Sequence, residues 1–421
     1  MPLSRLKSFG SFSNLLEEDI LEEEQQQQPS RGGGRRPGKL DQTTTTDDNT
    51  TTTNEQNQQQ LTSDDDDDDN WYFQPSSSPE ELRLIVVQIT DVYTLDNFAS
   101  LKTLLQELRQ AHSGEDNTKI ISVLTGDFLS PYLLSSIDRG QGMMEALVST
   151  PIDYLIWGNH EADIDHATAC RHVEYFTSSG GIWLNTNMQS HDAMEFQKSH
   201  DVIELSSSSC SSSHHKRRVG LLAVLSNDPA LYAHFSPPGA FGGAKIYDPW
   251  ETLETYKQML EQDQQCDVVL PLQHLYVPDD IKTCKQFDFP VLLSGHDHHK
   301  VDQVIHGTRL LKPGMDGVYA TILELSWKDN NSSAEAKPTI RSTFVRTSNW
   351  SPCPILKAQT NRAYDVLLPL RNTQLMDVLP QYEPLSSVNA RGCVCTMGIF
   401  ICSLLKAALN SKNCSEKNTA N

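Results

Sequence analysis

Five apolar segments of the chain end at side chains of the kind that bind metal ions. The residues at these ends are Asp91, Asp127, Asn159 with His160, His274, and His296 with His298. Each segment is short and rich in leucine or β-branched residues, which predicts a buried strand of an α/β sheet. Active sites of such sheets lie beyond the carboxyl ends of the strands. Five ends that all carry Asp, Asn or His therefore predict that these segments meet at a metal centre.

The segment Gly295–His299 reads Gly-His-Asp-His-His and carries the strongest local signal. Two histidines that lie two residues apart on a tight loop can present their rings to two adjacent cations. Neutral imidazole is a good ligand for Zn, Mn or Fe. Gly295 permits a tight turn directly after the preceding strand, which strengthens this interpretation of His296 and His298.

The segment Gly158–Asp163 combines a ligand with a group that could act on substrate. Asn159 is a neutral oxygen ligand, which leaves more Lewis acidity on a bound cation. His160 points differently and is free to contact substrate. Asp163 could orient and charge-stabilise His160. It could equally cap the following helix, and the two roles do not exclude each other.

Asp127 follows a predicted strand that lies between the two sets of candidate ligands. One carboxylate can bridge two cations that are about 3.5–4 Å apart, as in two-metal hydrolases. A water bridging such cations is deprotonated near neutral pH and becomes the nucleophile. Hydrolysis is therefore the chemistry that this arrangement predicts.

The first part of the chain has the composition of a disordered arm. Residues 1–78 include a glutamine run, a Gly-Arg patch at 31–36 and six aspartates at 64–69. They contain few apolar side chains to offset chain entropy. The aromatic triplet Trp71–Phe73 is an exception, which either docks on the domain or lies in a solvated linker.

The charge of the chain argues against some classes of partner. The formal net charge is -21 at pH 7, and no basic groove stands out. Nucleic acid is therefore not an expected partner. The acidic arm suits a protein partner.

The sequence predicts a cytoplasmic protein that does not contact a membrane. The N-terminus lacks the apolar stretch of a secretory signal, and the apolar run 394–405 is too short to cross a bilayer. The nine cysteines have no regular spacing, which predicts reduced thiols.

Strands and helices alternate from about residue 79, which predicts parallel βαβ units. The predicted strands are 84–90, 119–125, 153–157, 219–225, 267–272 and 290–294, and the predicted helices are 97–110, 138–149, 163–178 and 250–262. Segment 301–327 is typical of antiparallel strands that close a second sheet. We therefore expect one domain over 79–350, with a serine-rich loop insert at 205–218. Residues 351–421 would form an amphipathic linker helix over 364–379, interrupted by Pro369, and part of a further domain.

Taken together, the motifs resemble those of the calcineurin-like metallophosphoesterases. The order in that family is DxH, GD, GNHE, a lone His and GHxH, and this chain follows it from Asp91 to His298. Within the family the chain looks most similar to 5′-nucleotidase-like proteins. The segments that carry this likeness are GNHEAD (158–163), LNTNM (184–188), KPGMDGVYATILEL (312–325) and PLSSVNAR (384–391). The resemblance covers roughly residues 82–410.

The resemblance implies an α/β fold in which two mixed β-sheets pack as a sandwich flanked by helices. It also implies two metal ions, divalent or of the Fe, Mn or Zn type. The first site would use Asp91, Asp127, His298 and position 93, and the second would use Asp127, Asn159, His274 and His296. His160, with Asp163 behind it, would stabilise the transition state or protonate the leaving alkoxide. Asn159, His160 and Arg391 would contact the substrate.

Two departures from the family pattern bear on function. Position 93 should be His and is Tyr93. Either Tyr93 ligates a trivalent iron, or it lines a weakened first site, or the first site is empty and catalysis is impaired. Asp96 could substitute as a carboxylate or be an exposed loop acid. The chain also stops at Asn421, before most of the expected C-terminal domain, so Arg391 is either a substrate contact or a surface residue.

Three functions are therefore open. The first is a phosphoric ester hydrolase that releases phosphate from nucleotides, with a metal-bound hydroxide as the nucleophile and His160 assisting. The second is the same chemistry on another small phosphoester, such as a cyclic nucleotide or a nucleotide sugar, or on a phosphoprotein. The third is a non-catalytic binding protein that keeps the fold, for which the reasons are Tyr93, the missing C-terminal end and the acidic arm.

Overall fold

The computed structural model of the chain describes residues 70–78, 81–207, 216–328, 337–374, 385–388 and 394–417. Most of the predicted disordered arm, part of the serine-rich insert, and Arg391 lie outside the described residues. The chain divides into two units, Met1–Val366 and Leu367–Asn421. All of the candidate site residues except Arg391 belong to the first unit.

The first unit contains two six-stranded sheets. One sheet has the order β12-β11-β1-β2-β3-β4, in which β1 to β4 run parallel and β11 and β12 are antiparallel to their neighbours. Its strands are β1 (Leu82–Ile89), β2 (Thr118–Leu124), β3 (Tyr154–Ile156), β4 (Ile182–Leu184), β11 (Tyr319–Trp327) and β12 (Thr339–Arg346).

The second sheet has the order β5-β6-β7-β8-β10-β9. Its strands are β5 (His200–Ser206), β6 (Lys216–Leu225), β7 (Val268–His274), β8 (Val291–Ser294), β9 (Lys300–Ile305) and β10 (Thr308–Pro313). Strands β6, β7, β8 and β10 are parallel, while β5 and β9 pair antiparallel at the two edges.

The two sheets pack face to face around one apolar core. Leu84 and Val86 of β1 share this core with Leu270 of β7 and Leu293 of β8. The alternate residues of β1, such as Ile85, are also buried, on the other face of the sheet. Because β1 is covered on both sides, its sequence is almost continuously apolar. Helices cover the outer faces, so the predicted fold, two mixed sheets flanked by helices, is confirmed.

The helices of the first unit follow the apolar periodicity of the sequence, with local breaks. They span Phe98–Ala111, Ser135–Asp138, Gln141–Ser149, His166–Ser178, Pro229–Tyr232, Pro249–Gln258, Val277–Gln286 and Pro354–Tyr364. The predicted helix 138–149 is broken because Arg139 and Gly140 both have left-handed backbone, with φ of 57° and 85°. The predicted helix 163–178 begins at His166 instead, where Asp165 caps it by accepting from the amide of Thr168.

Several predicted elements differ from the structure. Strands β9 and β10 pair antiparallel in the second sheet, but β11 crosses to the first sheet and pairs with β1. Strands β5 and β6 pair as far as Ser206 and Lys216, so they extend into the predicted loop insert. The predicted linker helix 364–379 differs as well. One helix spans Pro354–Tyr364 and ends at the predicted start, and the only α-helix that lies wholly within the described part of the predicted span is the short helix Leu368–Asn372. Proline suits the first turn of a helix, which is where Pro354 lies.

The aromatic triplet Trp71–Phe73 docks on the domain and does not lie in a solvated linker. Trp71 and Tyr72 are 9% and 3% exposed. The Arg341 guanidinium lies 4.7 Å from the centre of the Trp71 ring. His112 Nε2 lies 2.8 Å from the carbonyl oxygen of Tyr72. The packed structure therefore begins before residue 79.

The described part of the second unit contains the short helix Leu368–Asn372 and the longer helix Thr396–Lys417. Among the residues that the structure describes, no helix has both the length and the apolar character needed to span a membrane.

Candidate metal centre

The candidate ligands meet where the carboxyl ends of strands from both sheets come together. Strands β1, β2 and β3 are parallel, so Asp91, Asp127 and Asn159 follow strand ends at the same edge. Strands β7 and β8 bring His274 and His296 from the other sheet. Two hydrogen bonds join the sheets here, from Gln88 Nε2 to the Ser294 carbonyl at 2.9 Å and between His274 Nδ1 and the Thr125 carbonyl at 2.7 Å.

Three of these residues have left-handed backbone although they are not glycine. The φ angles are 51° at Asp91, 56° at Asp127 and 81° at His296. Such conformations cost about 1–3 kcal/mol each and cluster at functional sites. Gly158 allows the close approach, because a Cβ atom there would collide with the Asp127 carboxylate.

Asp127 is the centre of the cluster. Its Oδ2 lies 3.2 Å from His274 Nε2, and its Oδ1 accepts from the His160 amide at 2.8 Å. His274 Nε2 in turn lies 3.2 Å from His296 Nδ1. Ligand atoms of Asp127, His274 and His296 all lie within 4.8 Å of one another. This set forms most of the second metal site that the resemblance implies.

The polar atoms of this cluster fit a cation. The Thr125 carbonyl accepts a hydrogen bond from His274 Nδ1, so a neutral His274 ring carries its proton on Nδ1. The lone pair of Nε2 is then available to a cation. Asn159 Oδ1 and His296 Nε2 are buried and have no hydrogen-bond partner among the described residues. An unsatisfied buried polar atom costs about 1–3 kcal/mol. A cation held by one carboxylate, one amide oxygen and two imidazoles would offset this cost and suits Zn, Mn or Fe.

Tyr93 lies among the residues expected for the first metal site. Its hydroxyl lies 3.2 Å from Asp127 Oδ2, 3.5 Å from Asp91 Oδ1 and 3.2 Å from His298 Nε2. Burial and the charges of Asp127 and Asp91 raise the pKa of the Tyr93 phenol well above its ordinary value. A phenol that keeps its proton is a poor ligand, but a bound cation would itself lower this pKa. The weakened site, the iron phenolate and the empty site therefore all stay predictions.

Tyr93→His is expected to restore the first site. The imidazole would offer a lone pair where the phenol now offers a proton, and the number of tightly bound metals should rise by about one per chain. Elemental analysis after dialysis against a weak chelator measures this number. Tyr93→Phe, which removes only the hydroxyl, is the matched control. An equal metal content in all three proteins would contradict this account of Tyr93.

The charged groups of the centre shift one another's pKa values. Burial raises the pKa of Asp91 to about 7, although the neighbouring His274 opposes the shift. Burial acts on Asp127 in the same direction, but the charge and hydrogen bond of His274 outweigh it and lower its pKa. His274 has its pKa raised to about 9, because Asp127 outweighs the effect of burial. Burial and the charge of His274 lower the pKa of His296 to about 3.

His160 and Asp163 form a pair beside the centre. His160 Nδ1 lies 2.7 Å from Asp163 Oδ2, and the His160 side chain is 36% exposed, so a substrate can reach it. Burial lowers the pKa of His160, but the hydrogen bond to Asp163 and the charge of Asp127 outweigh it and raise the pKa above its ordinary value. Asp165 caps the following helix, so Asp163 is not needed for that role.

The predicted residues are therefore largely brought together. His298 Nε2 lies 3.8 Å from Asp91 Oδ1, and the Asp91 carboxylate accepts from the His296 amide at 2.9 Å. Arg391 lies outside the described residues, so its substrate contact stays a prediction.

Glu161 is a residue whose structural role the sequence did not reveal. Its buried carboxylate accepts from the amides of Asp127 at 3.0 Å, Phe128 at 2.7 Å, Leu129 at 3.0 Å and Gly158 at 2.6 Å. These bonds fix the loop that carries Asp127 against the loop that carries Asn159. The position of Glu161 inside the GNHE motif was the available signal.

Lys312 is a second such residue, and it is fully buried. Its ammonium group donates to the carbonyls of Leu275 at 2.9 Å and Gly295 at 2.7 Å, and to Asp297 Oδ2 at 2.6 Å. It also pairs with Asp280 at 2.7 Å. Lys312 thus ties together the segments that carry His274 and His296. A lysine inside an apolar strand was the signal that could have identified it.

Lys312→Met is expected to weaken metal binding although Lys312 is not itself a ligand. Losing the bonds that hold the two His-bearing segments should lower metal affinity about 10–100-fold. Leaving Asp280 and Asp297 without their cation should also cost about 3–5 kcal/mol of stability. Calorimetric Mn(II) titration and thermal unfolding measure the two effects. Lys119→Met, at an exposed lysine of β2, is the control, and an unchanged Mn(II) affinity in Lys312→Met would contradict the assignment.

A family profile matches the part of the chain that carries the candidate metal centre. The profile of the family "Calcineurin-like phosphoesterase" matches residues 84–300, just over half of the chain. No curated protein matches the sequence significantly.

Solved structures show the same fold. The 5′-nucleotidase precursor from Thermus thermophilus superposes with a TM-score of 0.56 at 13% identity, over 69% of this chain and 60% of that one. The calcineurin-like phosphoesterase YfkN from Bacillus subtilis gives 0.55 at 15% identity, over 70% of this chain and 100% of that one. A putative 5′-nucleotidase from Staphylococcus aureus gives 0.52 at 13% identity, over 68% and 59%. This chain thus spans less than two thirds of the length of these two nucleotidases. With the family match and the geometry of its centre, the chain belongs to the calcineurin-like phosphoesterase family.

Proposed function

We propose that this protein is a metal-dependent hydrolase that releases phosphate from nucleoside 5′-monophosphates. The observation that carries this proposal is the meeting of Asp127, His274 and His296 within 4.8 Å, beside the His160–Asp163 pair. A carboxylate and imidazoles that converge next to an accessible histidine suit metal-assisted hydrolysis of a phosphate ester.

One resemblance favours nucleotides over other phosphoesters. The GNHEAD segment resembles the form found in 5′-nucleotidase-like proteins, and in the structure its last residue, Asp163, bonds to His160. Structural neighbours include 5′-nucleotidases, which support the same fold.

Each residue of the centre has a proposed role. Cations bound by Asp91, Asp127, Asn159, His274, His296 and His298 would polarise the phosphoryl oxygens and lower the pKa of a water. His160 would donate a hydrogen bond or a proton to the leaving oxygen, because Asp163 and Asp127 favour its protonated form. Asp163 orients the His160 ring through the 2.7 Å bond to Nδ1. Glu161 holds the Asp127 loop in place.

A binding protein with impaired catalysis is the second candidate, and the position of Tyr93 favours it. The Tyr93 hydroxyl lies between Asp127 and His298, where the family pattern has a ligand. If this contact prevents a first cation from binding, the chain would keep the fold and one cation without turnover.

A cytoplasmic setting and a protein partner for the acidic arm also stay proposals.

A substrate panel tests the proposed function. The metal-loaded full chain is assayed for phosphate release from nucleoside 5′-monophosphates, and in parallel from a cyclic nucleotide, a nucleotide sugar and a phosphoprotein. We expect the monophosphates to be hydrolysed fastest, and chelation to remove the activity. If another compound of the panel is hydrolysed faster, its class would replace nucleoside 5′-monophosphates as the proposed substrate. Metal-loaded protein that hydrolyses none of them would support the binding protein.

A further inference from the structure

A second cluster of metal-binding side chains lies outside the centre described above. His166 and Cys170 are four residues apart on the helix His166–Ser178, so both side chains lie on one face. His191 comes from the loop after β4. One ligand atom from each of these three residues lies within 4.8 Å of the others. Asp192, next to His191, brings a carboxylate oxygen 2.9 Å from His166 Nε2.

The spacing of these atoms is close to that around one tetrahedral zinc ion. Zn–N and Zn–S bonds of about 2.0 and 2.3 Å place a nitrogen and a sulfur ligand about 3.6 Å apart, and a nitrogen and an oxygen ligand about 3.3 Å apart. His166 Nε2 lies 3.6 Å from Cys170 Sγ and 2.9 Å from Asp192 Oδ2. The nitrogen–sulfur distance matches the zinc geometry. The nitrogen–oxygen distance would have to increase by only a few tenths of an ångström, which the exposed Asp192 side chain permits.

The chemistry of His191 is also suitable. The residue is 3% exposed. Burial and the nearby His166 lower the pKa of His191 to about 4, so the ring is neutral at physiological pH and keeps a lone pair. Its Nδ1 accepts from the Ala193 amide at 3.1 Å and lies 3.2 Å from Gln197 Nε2, and a cation at Nδ1 would displace both contacts. His191 Nε2 and His166 Nδ1 are buried and lack hydrogen-bond partners among the described residues.

We propose that His166, Cys170, His191 and Asp192 bind one transition-metal cation of the Zn(II) type. Two imidazoles, a thiolate and a carboxylate form a mixed N, S and O set that such a cation prefers. The site shares no residue with the centre at Asp127, and a water can replace Asp192 as the fourth ligand.

The bound cation would clamp the start of the helix His166–Ser178 to the loop after β4. The His191 ring packs on Trp157 at 4.7 Å between centroids, and Trp157 Nε1 donates to Gln197 at 2.7 Å. Trp157 directly precedes Gly158 of the GNHE segment. A cation that binds the folded chain and not the unfolded chain stabilises the folded state. It therefore stabilises the region that supports His160.

Cobalt spectroscopy tests this site without relying on activity. The full chain is stripped of metal and titrated with Co(II), which gives a thiolate-to-cobalt charge-transfer band in the near ultraviolet when a cysteine binds it. We expect the band in the wild type and in Asp127→Asn, and its loss in Cys170→Ser. Zn(II) should raise the melting temperature of Asp127→Asn but not of Cys170→Ser combined with Asp127→Asn.

His166→Gln is the second variant, in case Cys170→Ser does not fold. The His166 side chain is 25% exposed, so this replacement disturbs the core less. It should also remove the band, while His299→Ala should keep it. A wild type without the band at saturating Co(II), or a band that persists in Cys170→Ser or His166→Gln, would overturn the proposal.

Discussion

Asp127→Asn is expected to reduce phosphate release by roughly a thousandfold or more, because in the proposed mechanism this one carboxylate would hold both cations. Asp127 also contacts the Tyr93 hydroxyl, the His160 amide and His274 Nε2. An asparagine keeps the shape of the side chain and tolerates the left-handed backbone, which has φ of 56°. The variant should therefore fold while losing the negative charge that binds the cations.

Phosphate release and metal content are measured on the same samples of this variant. Asp96→Asn is the matched control, since it makes the same chemical change on the loop that follows Tyr93. We expect Asp96→Asn to keep both metal and activity. An equal loss in the control would instead assign Asp96 as the carboxylate that compensates for Tyr93. Full activity in Asp127→Asn would contradict a metal-bridging role.

His160→Ala is expected to lower kcat by about 10²–10⁴-fold, which is the usual contribution of general acid–base catalysis. The His160 side chain is not among the proposed ligands, so metal content should stay the same. His299→Ala, which removes an exposed histidine next to His298, controls for loss of a surface imidazole. Asp163→Asn should give a smaller loss than His160→Ala, because it affects only the orientation and charge of the ring.

Measuring kcat and metal content together separates a role of His160 in catalysis from a role in metal binding. A His160→Ala protein with full metal content and low kcat supports the proposed role. A protein that has lost metal as well would show that the His160 side chain also supports the cation site, because the backbone amide bond from residue 160 to Asp127 Oδ1 survives the substitution. Unchanged kcat would remove His160 from the mechanism.

The positions of the ligands were predictable because they depend on a simple repeating pattern. Buried parallel strands read as apolar runs, and their carboxyl ends share an edge, so Asp91 and Asp127 had to lie near one another. That His274 and His296 of the other sheet would join them was implied by the family resemblance. It could not be inferred from strand periodicity, which says nothing of how two sheets face each other.

The partners of the supporting residues could not be predicted, because tertiary packing sets them. Glu161 binds amides 32 to 34 residues away, and Lys312 binds carbonyls 17 and 37 residues away. The position of the Tyr93 hydroxyl likewise depends on where His298 lies. A sequence shows that a lysine interrupts an apolar strand, but not which buried groups surround its charge.

Some elements were missed for local reasons. Strand β4 has only three residues, and unlike the equally short β3 it is not followed by the GNHE motif that marked the end of β3. The helix Val277–Gln286 has a polar sequence, and only Asp280, Thr283 and Cys284 are buried. Two left-handed residues, Arg139 and Gly140, broke a helix that the periodicity predicted to be continuous.

The most direct test of the metal centre is anomalous diffraction from crystals of the full chain soaked in Mn(II). We expect a strong peak within about 2.0–2.3 Å of the ligand atoms of Asp127, Asn159, His274 and His296. We expect a weaker peak, or none, between Asp91 and His298, where the Tyr93 hydroxyl lies. A map with no manganese among Asp127, His274 and His296 would contradict the account.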